Sequence, residues 1–188
     1  SRFKDLKKAF AKGVELKGKT IGVIGIGRIG QATAKIALGA GMKVIAFDPY
    51  IKNVNLELEF YDGQTIEFDI DTITKENVLK QADFLTLHVP AQDDYVIDTA
   101  EFDLMKKGVI MVNAARGGVV NEVALVKALE QGKVAQAALD VFEKEPTPEI
   151  QLLMNPNLSL SPHIGAATAE AQDRIGTELA EQIITILN

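Results

Sequence analysis

An α/β fold is what this sequence predicts, a doubly wound parallel sheet with helices on both faces. Three observations carry the expectation. Short, continuously apolar runs alternate along the chain with stretches of helical periodicity, and such runs read as parallel strands covered on both sides. A glycine-rich turn joins the first run to the first helical stretch. The chain has 188 residues, 47% of them apolar, and at that size about 70% of the unfolded chain's surface is buried on folding.

The elements follow in order. Thr20 to Gly25 (TIGVIG) predicts the first strand, and Arg28 to Ala40 a helix closed by Gly41. Val44 to Phe47 predicts a second strand, stopped by Asp48-Pro49. Further strands are expected over Asp83 to Val89, Val109 to Asn113 and Val134 to Leu139, with a short last one over Leu158 to Leu160. Helices are expected near Thr74 to Gln81, Thr99 to Lys106 and Asn121 to Gln131, and a long one from Thr168 to Leu187 closes the chain. In the third of these Asn121 is the N-cap, Glu122 lies in the first turn, and Gly132 stands just past the end. Right-handed crossovers then give a Rossmann-type sheet. One stretch breaks the alternation. Asn55 to Ile70 holds two period-2 runs around Asp62-Gly63, a hairpin signal unusual inside a parallel α/β unit.

Composition narrows the function classes. The absence of cysteine excludes disulfides, thiolate zinc sites, iron–sulfur clusters and a cysteine nucleophile, and fits a reducing, cytoplasmic compartment. No metal site is expected. A net charge of −6 gives no electrostatic footprint for nucleic acid. No apolar run approaches the ~20 residues needed to cross a bilayer, and SRFKDLKKAF does not read as a signal peptide.

Gly25-Ile26-Gly27-Arg28-Ile29-Gly30 lies between an expected strand and an expected helix. Its glycines, Gly25, Gly27 and Gly30, allow a tight turn, close approach of a pyrophosphate, and close helix–strand packing. The helix N-terminus offers free N–H groups and a positive dipole end. Asp48, at the end of the next strand, suits an adenosine ribose and repels a 2′-phosphate; Lys52 is the only nearby cation. The pattern therefore predicts NAD rather than NADP as cofactor. The competing reading is a ligand-free glycine turn with an aspartate that merely ends a strand.

Four more residues fall at or after the carboxyl ends of expected strands: Arg116, Asp140, Glu145 and His163. A doubly wound sheet brings those ends to one crevice. Each has a plain structural alternative, a surface arginine, solvated loop acids at Glu143 and Glu145, or a loop histidine. His88, the other histidine, reads as a core or wall residue. Together, an arginine, a carboxylate and a histidine beside a nicotinamide make a hydride-transfer site for a small-molecule 2-hydroxy acid. His163 would move the hydroxyl proton, Glu145 would hold the imidazole, and Arg116 would hold the carboxylate.

The stretches ELKGKTIGVIGIGRIG, LTLHVP, VNAARGGVVNE, ALDVFEKEP and SPHIGAATAEAQ resemble, in the same order, those of the D-isomer-specific 2-hydroxyacid dehydrogenases. HVP, RGGVVNE and HIGAATAEAQ are most similar to the branch acting on D-3-phosphoglycerate in serine biosynthesis. The resemblance implies Arg116, Glu145 and His163 as the substrate-binding and catalytic residues. It implies cofactor contacts at Arg28, Ile29, Asp48, Val89, Pro90, Ala114, Arg116, Asp140, His163 and Gly165, with Asp140 on the nicotinamide carboxamide. Family members are longer, with a flavodoxin-like substrate domain built from segments on both sides of the cofactor domain. Residues 1–188 are thus expected to be an NAD-binding domain with its N- and C-terminal linking helices, the substrate domain lying outside them. A dehydrogenase for another 2-hydroxy acid, and an NAD-sensing co-repressor-like interaction protein, remain alternatives. The resemblance also implies a homodimer through this domain. Phe3, Leu6, Phe10 and Val14 share one face of an N-terminal helix and would cover the contact, unless that face packs on its own domain.

Overall fold

The computed structural model describes residues 2–9, 11 and 13–187. The chain runs α1 (Phe3–Ala9), β1 (Thr20–Ile24), α2 (Arg28–Gly39), β2 (Lys43–Phe47), β3 (Asn53–Glu59), β4 (Thr65–Asp71), α3 (Lys75–Gln81) and β5 (Phe84–Leu87). It continues through α4 (Thr99–Leu104), β6 (Val109–Asn113), α5 (Glu122–Glu130), β7 (Val134–Leu139), α6 (Ile150–Leu153), β8 (Leu158–Leu160) and α7 (Ala169–Leu187). Six strands form one parallel sheet in the order β2-β1-β5-β6-β7-β8. The direction of winding reverses between β1 and β5, which makes their carboxyl ends the switch point where such sheets bind ligands.

Alternation along the strands divides the core. Ile24, Ile45, Leu85, Leu87 and Met111 face the larger cluster, where α3, α4 and α5 contribute Val78, Leu79, Phe102, Leu125 and Leu129. Val23 and Ala46 face the smaller one, built with Ala34 of α2 and Val54, Leu56 and Ile70. Helices thus lie on both faces, as the pattern implied. Coverage of the second face is uneven, because right-handed crossovers leading away from β1 place α4 and α5 on the same side. Beyond β1 and β2 that face presents Val112, Gln136 and Ser159 to the exterior.

The expected hairpin is present. β3 and β4 pair antiparallel from Asn53↔Asp71 to Glu59↔Thr65, with Gly63 at φ +82° in the connecting loop. Val54 and Leu56 point into the smaller cluster, while Asn53, Asn55, Glu57 and Glu59 face outward. Thr72 forms a bridge to Ala46, so the hairpin hangs beside the edge strand β2 and closes the core there. Boundaries differ from the expectation in several places. Val14 lies outside α1, so it does not share a helical face with Phe3 and Leu6, and α4 ends at Leu104 rather than Lys106. β5 ends at Leu87, leaving His88 and Val89 in the loop, and the short α6 has too few residues to give a periodic signal. Phe3, Leu6 and Val14 are exposed, whereas Phe10 lies outside the described residues. α7 buries no residue, and no described helix is long and apolar enough to cross a membrane.

Candidate functional site: a cofactor cradle beside an Arg–Glu–His cleft

The glycine loop leaves β1 at Gly25, whose φ of +91° and whose packing exclude a side chain: a Cβ there would lie 2.4 Å from the His88 carbonyl oxygen. At Gly30 a Cβ would lie 2.1 Å from the Gly25 carbonyl oxygen, so the loop and α2 meet only because both residues are glycine. Gly27 is different. No atom lies within 4 Å of its would-be Cβ, and as N-cap of α2 it supplies no side-chain hydrogen bond. The protein's own packing does not require a glycine here. An open space before the uncapped first turn of a 12-residue helix fits the pyrophosphate of a dinucleotide, which would take the free N–H groups. Arg28 and Ile29 are exposed beside it.

Asp48 is buried, and its carboxylate is largely engaged by the backbone. Oδ2 accepts from Ile26 N at 3.0 Å, and Oδ1 accepts from Tyr50 N at 2.9 Å and Ile51 N at 3.0 Å. This ties the glycine loop to the end of β2. A carboxylate offers about four acceptor positions, so one is left for a ribose hydroxyl.

The three residues implied as catalytic line one cleft, together with Gln92, Asp93, Tyr95 and Glu143. Arg116 follows β6 and is exposed; its guanidinium donates to the Ala115 carbonyl at 2.6 Å. Gly117 brings this loop against the next one, since a Cβ there would sit 1.9 Å from the Phe142 carbonyl oxygen. Glu145 Oε1 accepts from Phe142 N at 3.0 Å, and Oε2 meets His163 Nδ1 at 2.8 Å. The hydrogen bond from His163, with that from Phe142 N, holds the Glu145 carboxyl below its usual range. With Nδ1 bound to a carboxylate, Nε2 is the imidazole atom available for proton transfer. His163 also has φ +55°, the only positive φ among described non-glycine residues, a conformation that concentrates at functional sites.

Asp140, at the end of β7, holds that loop. Its carboxylate accepts from Ser161 Oγ at 2.6 Å, Ile164 N at 3.0 Å and Gly165 N at 2.7 Å. Burial works to raise its pKa, but these hydrogen bonds outweigh it and hold the group below its ordinary value. A Cβ on Gly165 would lie 2.9 Å from Asp140 Oδ2, so glycine permits the contact. Val89 is half-buried, while Pro90 and Ala114 are exposed along the same edge. His88 is half-buried with Nε2 3.1 Å from Thr86 Oγ1; burial lowers its pKa, as befits a wall residue.

Sequence reasoning missed Tyr95 and treated Glu143 as a solvated charge. In the structure the Glu143 carboxylate accepts from Glu122 N at 3.0 Å, and its negative charge near Tyr95 raises the pKa of that phenol.

The family model for "D-isomer specific 2-hydroxyacid dehydrogenase, NAD binding domain" matches residues 2–165. The chain belongs to the D-isomer-specific 2-hydroxyacid dehydrogenase family. It is 47% identical, over 94% of its length, to a D-3-phosphoglycerate dehydrogenase of Methanocaldococcus jannaschii, covering 32% of that protein. To a hydroxypyruvate reductase of Thermotoga maritima it is 49% identical over 94% of its length, covering 55% of that protein. The chain therefore spans between a third and a little over half of these relatives. Among solved structures, D-lactate dehydrogenase from Aquifex aeolicus, complexed with NAD and lactic acid, superposes with a TM-score of 0.76 at 30% identity, covering 99% of this chain and 59% of that one. A D-2-hydroxyisocaproate dehydrogenase gives 0.81 at 32% identity, covering 100% and 58%. The cofactor of this domain family is NAD.

Gly27→Ala separates the two uses of the loop. Thermal unfolding should show a loss below about 1 kcal/mol, the scale of a changed N-cap, while calorimetry should show NAD binding weakened tenfold or more. Asp140→Asn replaces one of the carboxylate oxygens that accept from the part-buried Ser161, Ile164 and Gly165 donors and should cost about 1–3 kcal/mol at neutral pH. Because the folded-state pKa is depressed, that contribution is present above the unfolded pKa of about 3.9 and fades as pH falls through the lower folded value. Urea unfolding of both proteins should therefore give a constant gap at neutral pH that closes below pH ~4.

Proposed function

We propose that this chain is the cofactor-binding part of an oxidoreductase that moves a hydride between NAD and a D-2-hydroxy acid. One observation carries the reading: His163 Nδ1 is bound by Glu145 in a cleft that also contains Arg116. NAD, held at the glycine loop, supplies the acceptor for the hydride leaving carbon 2. Arg116 binds the acid's carboxylate through its planar fork and polarises the oxygen on carbon 2. Nε2 of His163 takes the hydroxyl proton as the keto acid forms and returns it in the reverse direction. Glu145 accepts the hydrogen bond from Nδ1 and orients the ring. Val89, Pro90, Ala114, Asp140 and Gly165 are proposed to border the nicotinamide, and Gly25, Gly27, Arg28, Ile29, Gly30 and Asp48 the adenosine and pyrophosphate. A second domain would provide the other wall of the cleft and exclude water. We further propose a cytoplasmic homodimer that uses the exposed Phe3, Leu6 and Val14.

For the acid, D-3-phosphoglycerate is supported by the branch-like motifs and by the name of the Methanocaldococcus relative. A second acid, hydroxypyruvate, is supported by the name of the Thermotoga relative, to which the chain is 49% identical.

In the full-length protein, His163→Ala should lower kcat by ~10² or more with NAD affinity unchanged, as expected for loss of a general acid–base. Near-normal turnover would remove His163 from the chemistry. Steady-state assays with D-3-phosphoglycerate, and with NADH and hydroxypyruvate, decide between the two acids. NAD should bind tighter than NADP, and Asp48→Ala should narrow the difference; equal affinities in the unsubstituted protein would defeat the role given to Asp48.

A further inference from the structure

Glu122 and Glu143 stand 21 residues apart and exchange hydrogen bonds. Glu122 N donates to Glu143 Oε1 at 3.0 Å, and Glu143 N donates to Glu122 Oε1 at 2.7 Å. Two acids side by side repel, and Glu122 is buried, 7% exposed. The arrangement persists because each carboxylate caps the other's backbone N–H, one of them in the first turn of α5 where the helix dipole favours a negative charge. Two segments that wall the Arg116 cleft are thereby fastened together, the loop after β6 through the start of α5 and the loop after β7 through Glu143. Tyr95, of the loop after β5, lines the same cleft as Glu143. Glu145 lies two residues further on, held to the same loop by Phe142 N.

We propose that Glu122 is a positioning residue for the Glu145–His163 couple, acting through its reciprocal hydrogen bonds with Glu143. Glu122 touches neither substrate nor cofactor. It fixes the backbone from which Glu145 reaches Nδ1 of His163, and so sets where Nε2 points relative to the acid held by Arg116. Glutamine keeps an acceptor oxygen for Glu143 N, and alanine does not.

The inference rests on the reading above, and its test separates the two. In the full-length protein Glu122→Ala should lower kcat about tenfold or more, the scale of a small misplacement of reacting groups, with a smaller change in KM for the acid. Glu122→Gln should restore most of it. The NMR resonance of the His163 Nδ1 proton that faces Glu145, assigned by its loss in His163→Ala, supplies a readout free of activity. Glu122→Ala should shift and broaden that resonance as Glu145 loosens, leave the His88 ring protons unmoved, and Glu122→Gln should return it to its original position. If Glu122→Ala fails to fold, Glu143→Ala, at an exposed position, removes the other half of the exchange and should give the same lowered kcat and the same His163 shift. Folded alanine variants with unchanged kcat and an unchanged His163 Nδ1 proton resonance would overturn the proposal. An inactive wild-type protein whose His163 Nδ1 proton resonance still responds to Glu122→Ala would keep the positioning and overturn the assigned reaction instead.

Discussion

The Asp140 carboxylate takes three hydrogen bonds from the chain after β8, and the place of His163 depends on them. Without that anchor the Ser161–Gly165 loop has only a three-residue strand behind it. With it, the imidazole is held in a left-handed backbone conformation facing Glu145. The cost of that conformation, on the order of 1–3 kcal/mol, is offset by a charge-assisted network around Asp140.

The same device recurs along the sheet edge. Asp48 fastens the glycine loop to the end of β2, and Glu122 with Glu143 fastens α5 to the loop after β7. Loops must find partners for their N–H groups once strands no longer supply them, and here strand-end and loop carboxylates fill the role. Glycines set the complementary distances. Gly25, Gly30 and Gly117 allow backbone-to-backbone approaches that no other residue permits. Loops fastened between a regular sheet and a cleft suit the proposed hydride transfer, whose geometry would tolerate little displacement.

Much of this was legible in the sequence. Continuously apolar strands, the glycine turn and the period-2 hairpin follow local rules, and the structure follows them too. Arg116, Glu145 and His163 were recognisable by their positions after strands. What escaped is non-local. Nothing near Glu122 or Glu143 signals that two acids will cap each other's backbone across 21 residues, because like charges in sequence ordinarily imply solvated surface. Asp140 was expected to face the cofactor, and its hydrogen bonds to the His163 loop depend on register between β7 and β8, which no pattern encodes. Four residues of α6 are too short for periodicity, and the backbone twist at His163 arises from tertiary anchoring.

The hairpin has an electrical consequence. Asn53 to Asp71 contains six acidic side chains and no lysine or arginine, matching the formal charge of −6 carried by the whole chain. The remainder is neutral on balance, so the excess negative charge of the chain sits on the hairpin, beside β2. Anionic solutes approaching from that side are deflected, an effect that fades once salt shortens the Debye length to about 10 Å or less. An anion-exchange surface would grip the protein by this one edge and leave the opposite edge of the sheet facing solvent.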